Sequence, residues 1–192
     1  MKLRYLLIIA FMAMMALQTN MSAQVNAFPS YTEDFESTNG NWSASGTSSS
    51  WAWGSPSYSY ITAAGSGSRC WKTNLTGTYN VSETSYLTSP TFNFSCFTSD
   101  PTISFMISHQ IESGFDYCVL QYSTNGGSTF TNVGTNTSGG TNWYQTASGF
   151  NAARSWTTAS HLLTGLAGQS SVILRFRFTS DNSVQQTGVG ID

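Results

Sequence analysis

The sequence is short of charge. Only 8% of its 192 residues are Asp, Glu, Lys or Arg, and the formal net charge is −2. Neither sign is concentrated in a block, so the chain lacks the basic stripe with which nucleic-acid-binding surfaces neutralise phosphates. Nucleic acid is therefore excluded as a partner. Ser, Thr, Asn and Gly replace the charged residues, and the aromatic residues, 14% of the chain, distinguish it from a disordered tract.

Cysteine is also scarce. The three cysteines, Cys70, Cys96 and Cys118, leave at least one thiol without a partner in the chain, because their number is odd. Cys118 lies in the apolar run 117–122 and is expected to be a small buried hydrophobe. Cys70 and Cys96 each lie near a strand-like segment, and the sequence leaves open whether they pair.

Recognisable catalytic groups are missing. His109 and His161 are the only histidines, and neither belongs to a His-Glu-x-x-His motif or lies near a Gly-x-Ser-x-Gly elbow. Glycoside hydrolysis needs two carboxylates that flank the scissile bond, and Glu112 with Asp116 is the nearest pair outside the acidic segment 33–36. The sequence therefore predicts that this segment is not an enzyme.

One long apolar run occurs, at the N-terminus. Lys2 and Arg4 precede an unbroken apolar segment from Leu6 to Leu17, which is shorter than the roughly 20 residues that span a bilayer. A basic start, a run of this length and a small residue at its exit are typical of a secretory signal peptide. We predict a signal peptide over 1–23, a short linker over 24–31 and one domain over 32–192. The mature protein is then secreted or displayed on the cell surface and does not span the membrane.

The rest of the chain has the pattern of an all-β protein. Runs rich in Val, Ile, Phe, Tyr and Thr alternate with Gly, Ser and Asn, and no helical period is sustained. The predicted strands are 69–74, 85–87, 92–94, 102–110, 115–123, 129–133, 161–163 and 172–179. Short strands around one core favour an antiparallel two-sheet sandwich. In 172–179 one face is wholly apolar and the other carries Arg175 and Arg177, which predicts a half-buried strand with both arginines facing out.

Turns and long loops complete this prediction. Asn125-Gly126-Gly127 lies between two strand-like runs, and Asn and Gly tolerate the positive φ that a hairpin turn needs. Segments 37–68 and 134–160 are rich in Ser, Gly and Asn and are predicted to be long loops. The chain stops at Asp192 within what reads as the start of another strand, so we expect a truncated last strand and a fragment of a longer reading frame.

Several motifs in order resemble one family. The sequence Asp34-Phe-Glu36 followed by Trp42, then Tyr86-Leu-Thr-Ser-Pro90, is similar to the opening of MAM-like, concanavalin-like jelly-roll domains of secreted multi-domain proteins from Bacteroidetes-type bacteria. The segment 116–130 resembles their "D-x-x-x-x-x-Y-S-T-D-G-G-x-x-W", and 175–192 resembles "R-F-x-F-x-S-D…G-x-x-I-D-D". The resemblance covers residues 32–192 and implies a jelly-roll sandwich.

The resemblance also implies a structural cation and a context. In such jelly rolls a cation ties the first strand to the last, and Asp34, Glu36 and Asp192 match the acidic positions. Ca²⁺ takes hard oxygen ligands of this kind. Solvated turn carboxylates are the alternative reading. Such modules occur beside peptidase or glycosidase domains, with a downstream sorting domain for the secretion machinery.

Function is predicted only as a class. The export signal and the missing catalytic groups favour a non-catalytic extracellular adhesion or interaction module that binds a glycan or a protein. The alternative is an accessory domain of a secreted hydrolase whose active site lies beyond residue 192. Aromatic side chains stack on sugars, and those in the predicted loops are candidate ligand-binding residues: Trp51, Trp53, Trp143 and Tyr144. Large aromatics that close the ends of the sandwich are the competing interpretation.

Overall fold

The computed structural model describes residues 24–192, and the predicted signal peptide lies outside them. All regular structure in this part of the chain is β, arranged in two sheets. The predicted all-β two-sheet sandwich is confirmed. No helix of the described part has the length and apolar character needed to cross a membrane.

The described residues form eleven strands. They are β1 Val25–Asn26, β2 Ser43–Thr47, β3 Trp51–Gly54, β4 Cys70–Thr73, β5 Thr84–Asn93, β6 Thr102–Gln110, β7 Tyr117–Ser123, β8 Thr131–Asn132, β9 Ala153–Leu162, β10 Val172–Thr179 and β11 Gly188–Ile191.

The first sheet has the order β1-β5-β10-β7-β8, and β2 also pairs with β5. Its long ladders are antiparallel, whereas the short β1 runs parallel to the end of β5. The ladder between β5 and β10 contains an irregularity after Ile173, where the amide of Leu174 donates to Ser89 Oγ at 3.0 Å. Pro90 lies next to this point and has no N–H to give to a ladder. A bulge here allows β5 to continue through Pro90, where the sequence predicted two separate strands, 85–87 and 92–94.

The second sheet has the order β3-β4-β11-β6-β9. Its last strand along the chain, β11, lies between β4 and β6 and is buried throughout. The sequence predicted the start of another strand at Asp192, and this strand, β11, lies in the middle of its sheet. Gly190 makes this position possible, since a Cβ there would lie 2.8 Å from the Trp156 ring that covers it.

The core lies between the two sheets. In β10 the side chains alternate as predicted: Phe176 and Phe178 are buried, whereas Arg175 and Arg177 lie on the outer face. Across the interface, the ring of Phe176 contacts Phe105 of β6 edge to face, at 4.9 Å between centroids. Alternation of this kind fixes register, because a shift of one residue would place the arginines in the core.

The two long segments predicted as loops are partly sheet. β2 and β3 lie within 37–68, and most of β9 lies within 134–160. β2 is exposed at every position, so its residues show no apolar alternation. Cys118 is fully buried, as predicted, and all three cysteines are free thiols, with Cys96 exposed and Cys70 buried.

Candidate functional site

The outer face of the first sheet carries two of the five cationic side chains of the described residues, Arg175 and Arg177. The guanidinium of Arg175 lies between two rings, 4.1 Å from the centroid of Tyr86 and 3.5 Å from that of Phe130. Cation–π contacts of this kind hold an arginine in one position. Burial lowers the pKa of Arg175, and the charge of nearby Arg177 adds to this effect.

Arg175 is the first member of a hydrogen-bonded chain across the sheet. Its Nε donates to Gln121 Oε1 at 2.8 Å, and Gln121 Nε2 donates to Asn132 Oδ1 at 2.9 Å. Since its oxygen is engaged, the amide of Asn132 has its Nδ2 group free to donate. Arg175 therefore acts as an anchor that orients amide groups on the surface rather than as an available cation.

Beside this series of hydrogen-bonded side chains lies a cleft of about 250 Å³, which we call the Arg177 cleft. It is lined by Tyr117 and Val119 of β7, Arg177 and Thr179 of β10, Asn132 of β8, and residues 147–148. No carboxylate lines it. The Arg177 guanidinium makes no hydrogen bond within residues 24–192, and the cleft is thus a donor-rich surface with uncompensated positive charge.

The loop 146–149 forms the rim of the cleft. Its ends are joined by a bridge between Thr146 and Gly149, and the next residue, Phe150, pairs with Cys118 of β7. Gly149 has a φ of +128°, and a Cβ there would collide with the carbonyl oxygen of Cys118 and lie 2.5 Å from Val119 Cγ1. Glycine is therefore required for the rim to lie this close to the sheet.

Three of the four aromatic residues predicted as candidate ligand-binding residues are packed inside the sandwich. Trp51, Trp143 and Tyr144 are each 6% exposed, and Trp51 belongs to strand β3 rather than to a loop. The Trp143 indole donates to Val133 O at 3.2 Å, and the Tyr144 hydroxyl bonds both backbone groups of Leu120. These three side chains have the packing role that the sequence offered as the alternative to sugar binding.

Trp53 is the partly exposed member of the set. It also lies on β3, donates through Nε1 to Phe35 O at 2.8 Å, and contacts the guanidinium of Arg69 at 5.1 Å from its ring centroid. The four predicted residues are therefore divided between a packed group in the core and one ring on the second sheet, and they do not form a common face.

The two histidines have structural surroundings. His109 is fully buried, with Nδ1 bonded to Ala152 O and Nε2 to Gln145. Burial lowers the pKa of His109 to about 4. His161 Nε2 lies 2.8 Å from Ser138 Oγ, but its Nδ1 faces the carbonyl oxygen of Leu162, where a catalytic triad would place a carboxylate.

Two of the three acids predicted to bind a cation meet at one loop. Glu36 accepts hydrogen bonds from the amides of Arg69 and Ser68, which lower the pKa of its carboxyl group. Asp192 Oδ2 accepts from Ser66 of the same loop, whereas its buried Oδ1 has no partner. Burial, with a further contribution from Glu36, raises the pKa of Asp192.

Asp34, the third predicted acid, is engaged locally, where its Oδ1 accepts from the amide of Glu36 at 3.1 Å. The described residues that bring three carboxylates within 4.8 Å of one another are instead Glu112, Asp116 and Asp181, and this cluster could hold a metal ion. Asp116 is fully buried and is bonded by the Tyr79 hydroxyl and the Asp181 amide. Burial, followed by repulsion from Asp181 and Asp116, raises the pKa of Glu112.

A cavity of about 460 Å³ opens at one end of the core. Its wall includes Phe94, Leu174 and Phe176 from the core and residues 102–105 of β6, just beyond the point where Met106 pairs with Asp192. Trp42 also lines it, and its buried indole nitrogen has no hydrogen-bond partner.

The Arg177 cleft was not predicted as a site, although the outward direction of Arg177 was. Its parts come from β7, β8, β10 and the loop 146–149, which are far apart in the sequence. The one available signal was a pair of arginines on the polar face of a strand in a chain with few charges. Asn132 and Ser148 could not be distinguished from the many other Asn and Ser residues.

The fold and this surface define a β-sandwich module with a polar cleft on one sheet. No family model matches the chain, and membership of the MAM-like family stays a prediction. The chain is 33% identical over 162 residues to Bacillopeptidase F of Bacillus subtilis (strain 168). That match covers 84% of this chain but 10% of the relative, so the chain spans about a tenth of the protein it matches.

Solved structures with a similar outline have low sequence identity. The K2 cleaved adhesin domain of Lys-gingipain is 19% identical with a TM-score of 0.48, and the match covers 84% of this chain and 95% of that one. The K1 cleaved adhesin domain of Lys-gingipain from Porphyromonas gingivalis W83 is 13% identical with a TM-score of 0.48, and the match covers 83% of this chain and 95% of that one. A structure of carbohydrate-binding modules from the β-sandwich superfamily is 15% identical with a TM-score of 0.47, and the match covers 81% of this chain and 56% of that one.

Proposed function

We propose that the chain is a non-catalytic extracellular interaction module that binds a glycan or a protein through the outer face of its first sheet. The observation that carries this proposal is the Arg177 cleft, in which an unpaired guanidinium and a free amide donor are held at the surface. Hydrogen bonds from a charged group such as a guanidinium to a ligand are worth about 1.5–3 kcal/mol, and a small number of convergent polar groups fixes the orientation of a ligand in its site.

The second candidate is an accessory domain of a hydrolase. The sequence similarity to a segment of a protein named as a peptidase is compatible with it. A module of this kind would still use a binding surface, so the two proposals differ in the protein of which the chain forms part. Both proposals predict that the chain itself has no hydrolytic activity. An activity assay of the full chain therefore distinguishes them from the hypothesis that this chain is an enzyme.

The experiment is a binding panel with the purified full chain. Neutral polysaccharides, anionic polysaccharides and extracellular-matrix proteins would be compared by affinity electrophoresis and calorimetry, with heat-unfolded protein as the control. We expect at least one class to bind the native protein and not the unfolded one. Hydrolysis of a panel member in the absence of any binding would contradict the proposal.

We also propose that Glu36 and Asp192 bind a structural Ca²⁺, as the family resemblance implies. The unpartnered buried Oδ1 of Asp192 and the proximity of Glu36 support this, since Ca²⁺ takes carboxylate oxygens as ligands. An ion that binds only the folded state stabilises it by about 2.7 kcal/mol when its concentration is a hundredfold above Kd. We expect a rise in Tm of about 5 °C or more between EDTA and millimolar Ca²⁺.

Calorimetry of matched variants locates the ion. The shift should be lost in Glu36→Gln and Asp192→Asn and retained in Glu112→Gln, which alters the other acidic cluster. Loss in Glu112→Gln alone would place the ion at the cluster of Glu112, Asp116 and Asp181. An unchanged Tm in all proteins would mean that these carboxylates bind no Ca²⁺.

A further inference from the structure

We propose that the Arg177 cleft binds the anionic group of an acidic saccharide, with Arg177 as the residue that binds the anion. This inference rests on the proposed function and names the ligand class of the same surface.

The first argument concerns the cations. Four of the five cationic side chains in residues 24–192 donate hydrogen bonds to other residues of the chain: Arg69 to Glu36 O, Lys72 to the carbonyls of Thr73, Asn74 and Gly77, Arg154 to Asn142 O, and Arg175 to Gln121. Within the same residues, the guanidinium of Arg177 donates to none. Its five N–H groups are thus available to a ligand at the surface.

The second argument concerns the surroundings of Arg177. The cleft contains no Asp or Glu, while the donor-oriented Asn132 amide and the hydroxyl of Ser148 lie on its wall. A planar guanidinium binds a carboxylate or a sulfate through two parallel hydrogen bonds, and such charge-assisted bonds are about twice as strong as neutral ones. The set of groups is therefore complementary to an anion that carries further acceptors.

The third argument concerns size and shape. At about 250 Å³ the cleft is smaller than the roughly 300 Å³ at which pockets for drug-sized ligands begin. A single ring of a chain that continues into solvent fits this shape. Tyr117 and Val119 give an apolar floor for the C–H face of a sugar, and Asn132, Ser148 and Thr179 can bond its hydroxyl groups.

The test compares the unaltered full chain with two variants, each of which removes one positive charge. Binding would be measured by calorimetry with polygalacturonate, dextran sulfate, neutral dextran and polyglutamate. We expect polygalacturonate or dextran sulfate to bind, dextran to bind weakly or not at all, and Arg177→Gln to reduce the affinity at least tenfold. Arg154→Gln, on the second sheet, should bind like the unaltered protein. The carboxylate and sulfate arms show which anion the cleft prefers.

A second variant and a check of folding protect the test against misfolding. Asn132→Asp places a carboxylate beside Arg177 and should cause a similar loss, while Tm and circular dichroism show that each variant is folded. Equal losses in Arg154→Gln and Arg177→Gln would overturn the proposal, because binding would then follow net charge alone. Tight binding of polyglutamate, lost in Arg177→Gln, would overturn the saccharide as the ligand class.

The outcomes also separate this inference from the proposed function. Binding of neutral dextran or of a matrix protein that is insensitive to Arg177→Gln would overturn the inference and leave the interaction module intact. Failure of the full chain to bind any member of either panel would overturn both.

Discussion

At the scale of single residues, His109 is the clearest source of pH dependence. Its ring is buried between the sheets, and burial lowers its pKa from 6.5 to about 4. Between these pH values the unfolded chain binds more protons at this residue than the folded protein, so stability falls as the pH falls from about 6.5 to about 4. The full effect is on the order of 3 kcal/mol.

The measurement is urea unfolding of the wild type and His109→Gln across this pH range. Gln keeps a hydrogen-bonding side chain but does not titrate, so the difference between the two proteins isolates His109. This matters because the raised pKa values of Glu112 and Asp116 act in the opposite direction. A difference that is constant from pH 7 to pH 4 would show that His109 is not held neutral by burial.

At the same scale, the sequence predicted the character of individual residues better than it predicted which residues pack together. Cys118 was correctly predicted as a buried hydrophobe because it lies in an apolar run. Trp143 and Tyr144 lie in a polar segment, yet both pack against the ring of Phe150 in the core. Composition around a residue does not report which side chain folds back onto the sheet, and the packed aromatic cluster could not be predicted for this reason.

At the scale of elements, the strand predictions succeeded where one face is apolar. The bounds of β6 and β10 agree with the prediction, since both combine β-branched and aromatic residues in a continuous run. β2 was missed because its residues are polar or small, and most of β9 was missed because its apolar residues do not alternate with polar ones. Both strands are held by their neighbours rather than by their own pattern. β-propensity reflects such context.

The rim loop gives a prediction at this scale. Gly149→Ala places a Cβ against the Cys118 carbonyl, so the loop must move away from β7. We expect a loss of about 1–3 kcal/mol of stability and weaker binding at the Arg177 cleft. Gly139→Ala is the matched control, since Gly139 has a φ of +88° but a Cβ there would meet no atom within 4 Å. Equal losses in both variants would attribute the effect to backbone conformation instead of the contact with β7.

At the scale of the whole molecule, the fold class followed from the sequence, but the sheet order did not. Short strands without helices admit several sandwich topologies, and nothing in Gly188–Ile191 indicates that it lies between β4 and β6. That position makes β11 indispensable to the second sheet, whereas β1 adds a two-residue pairing at one edge of the first.

Two deletions test this difference. Removal of residues 188–192 should abolish cooperative unfolding and the near-ultraviolet circular dichroism of packed aromatics, because β4 and β6 lose their shared neighbour. Removal of residues 24–26 should lower Tm by only a few degrees. Retention of a sharp thermal transition after the first deletion would show that the two halves of the sheet are stable without β11.

The position of β11 also has a consequence for the order in which the protein can be made. A ribosome releases the chain from its N-terminus, and the strand in the middle of the second sheet is the last of the eleven described strands to emerge. Until it arrives, β4 and β6 have unpaired backbone groups on the sides that it will occupy. Among the described strands, β4 and β6 can therefore join into one continuous sheet only after β11 has been released.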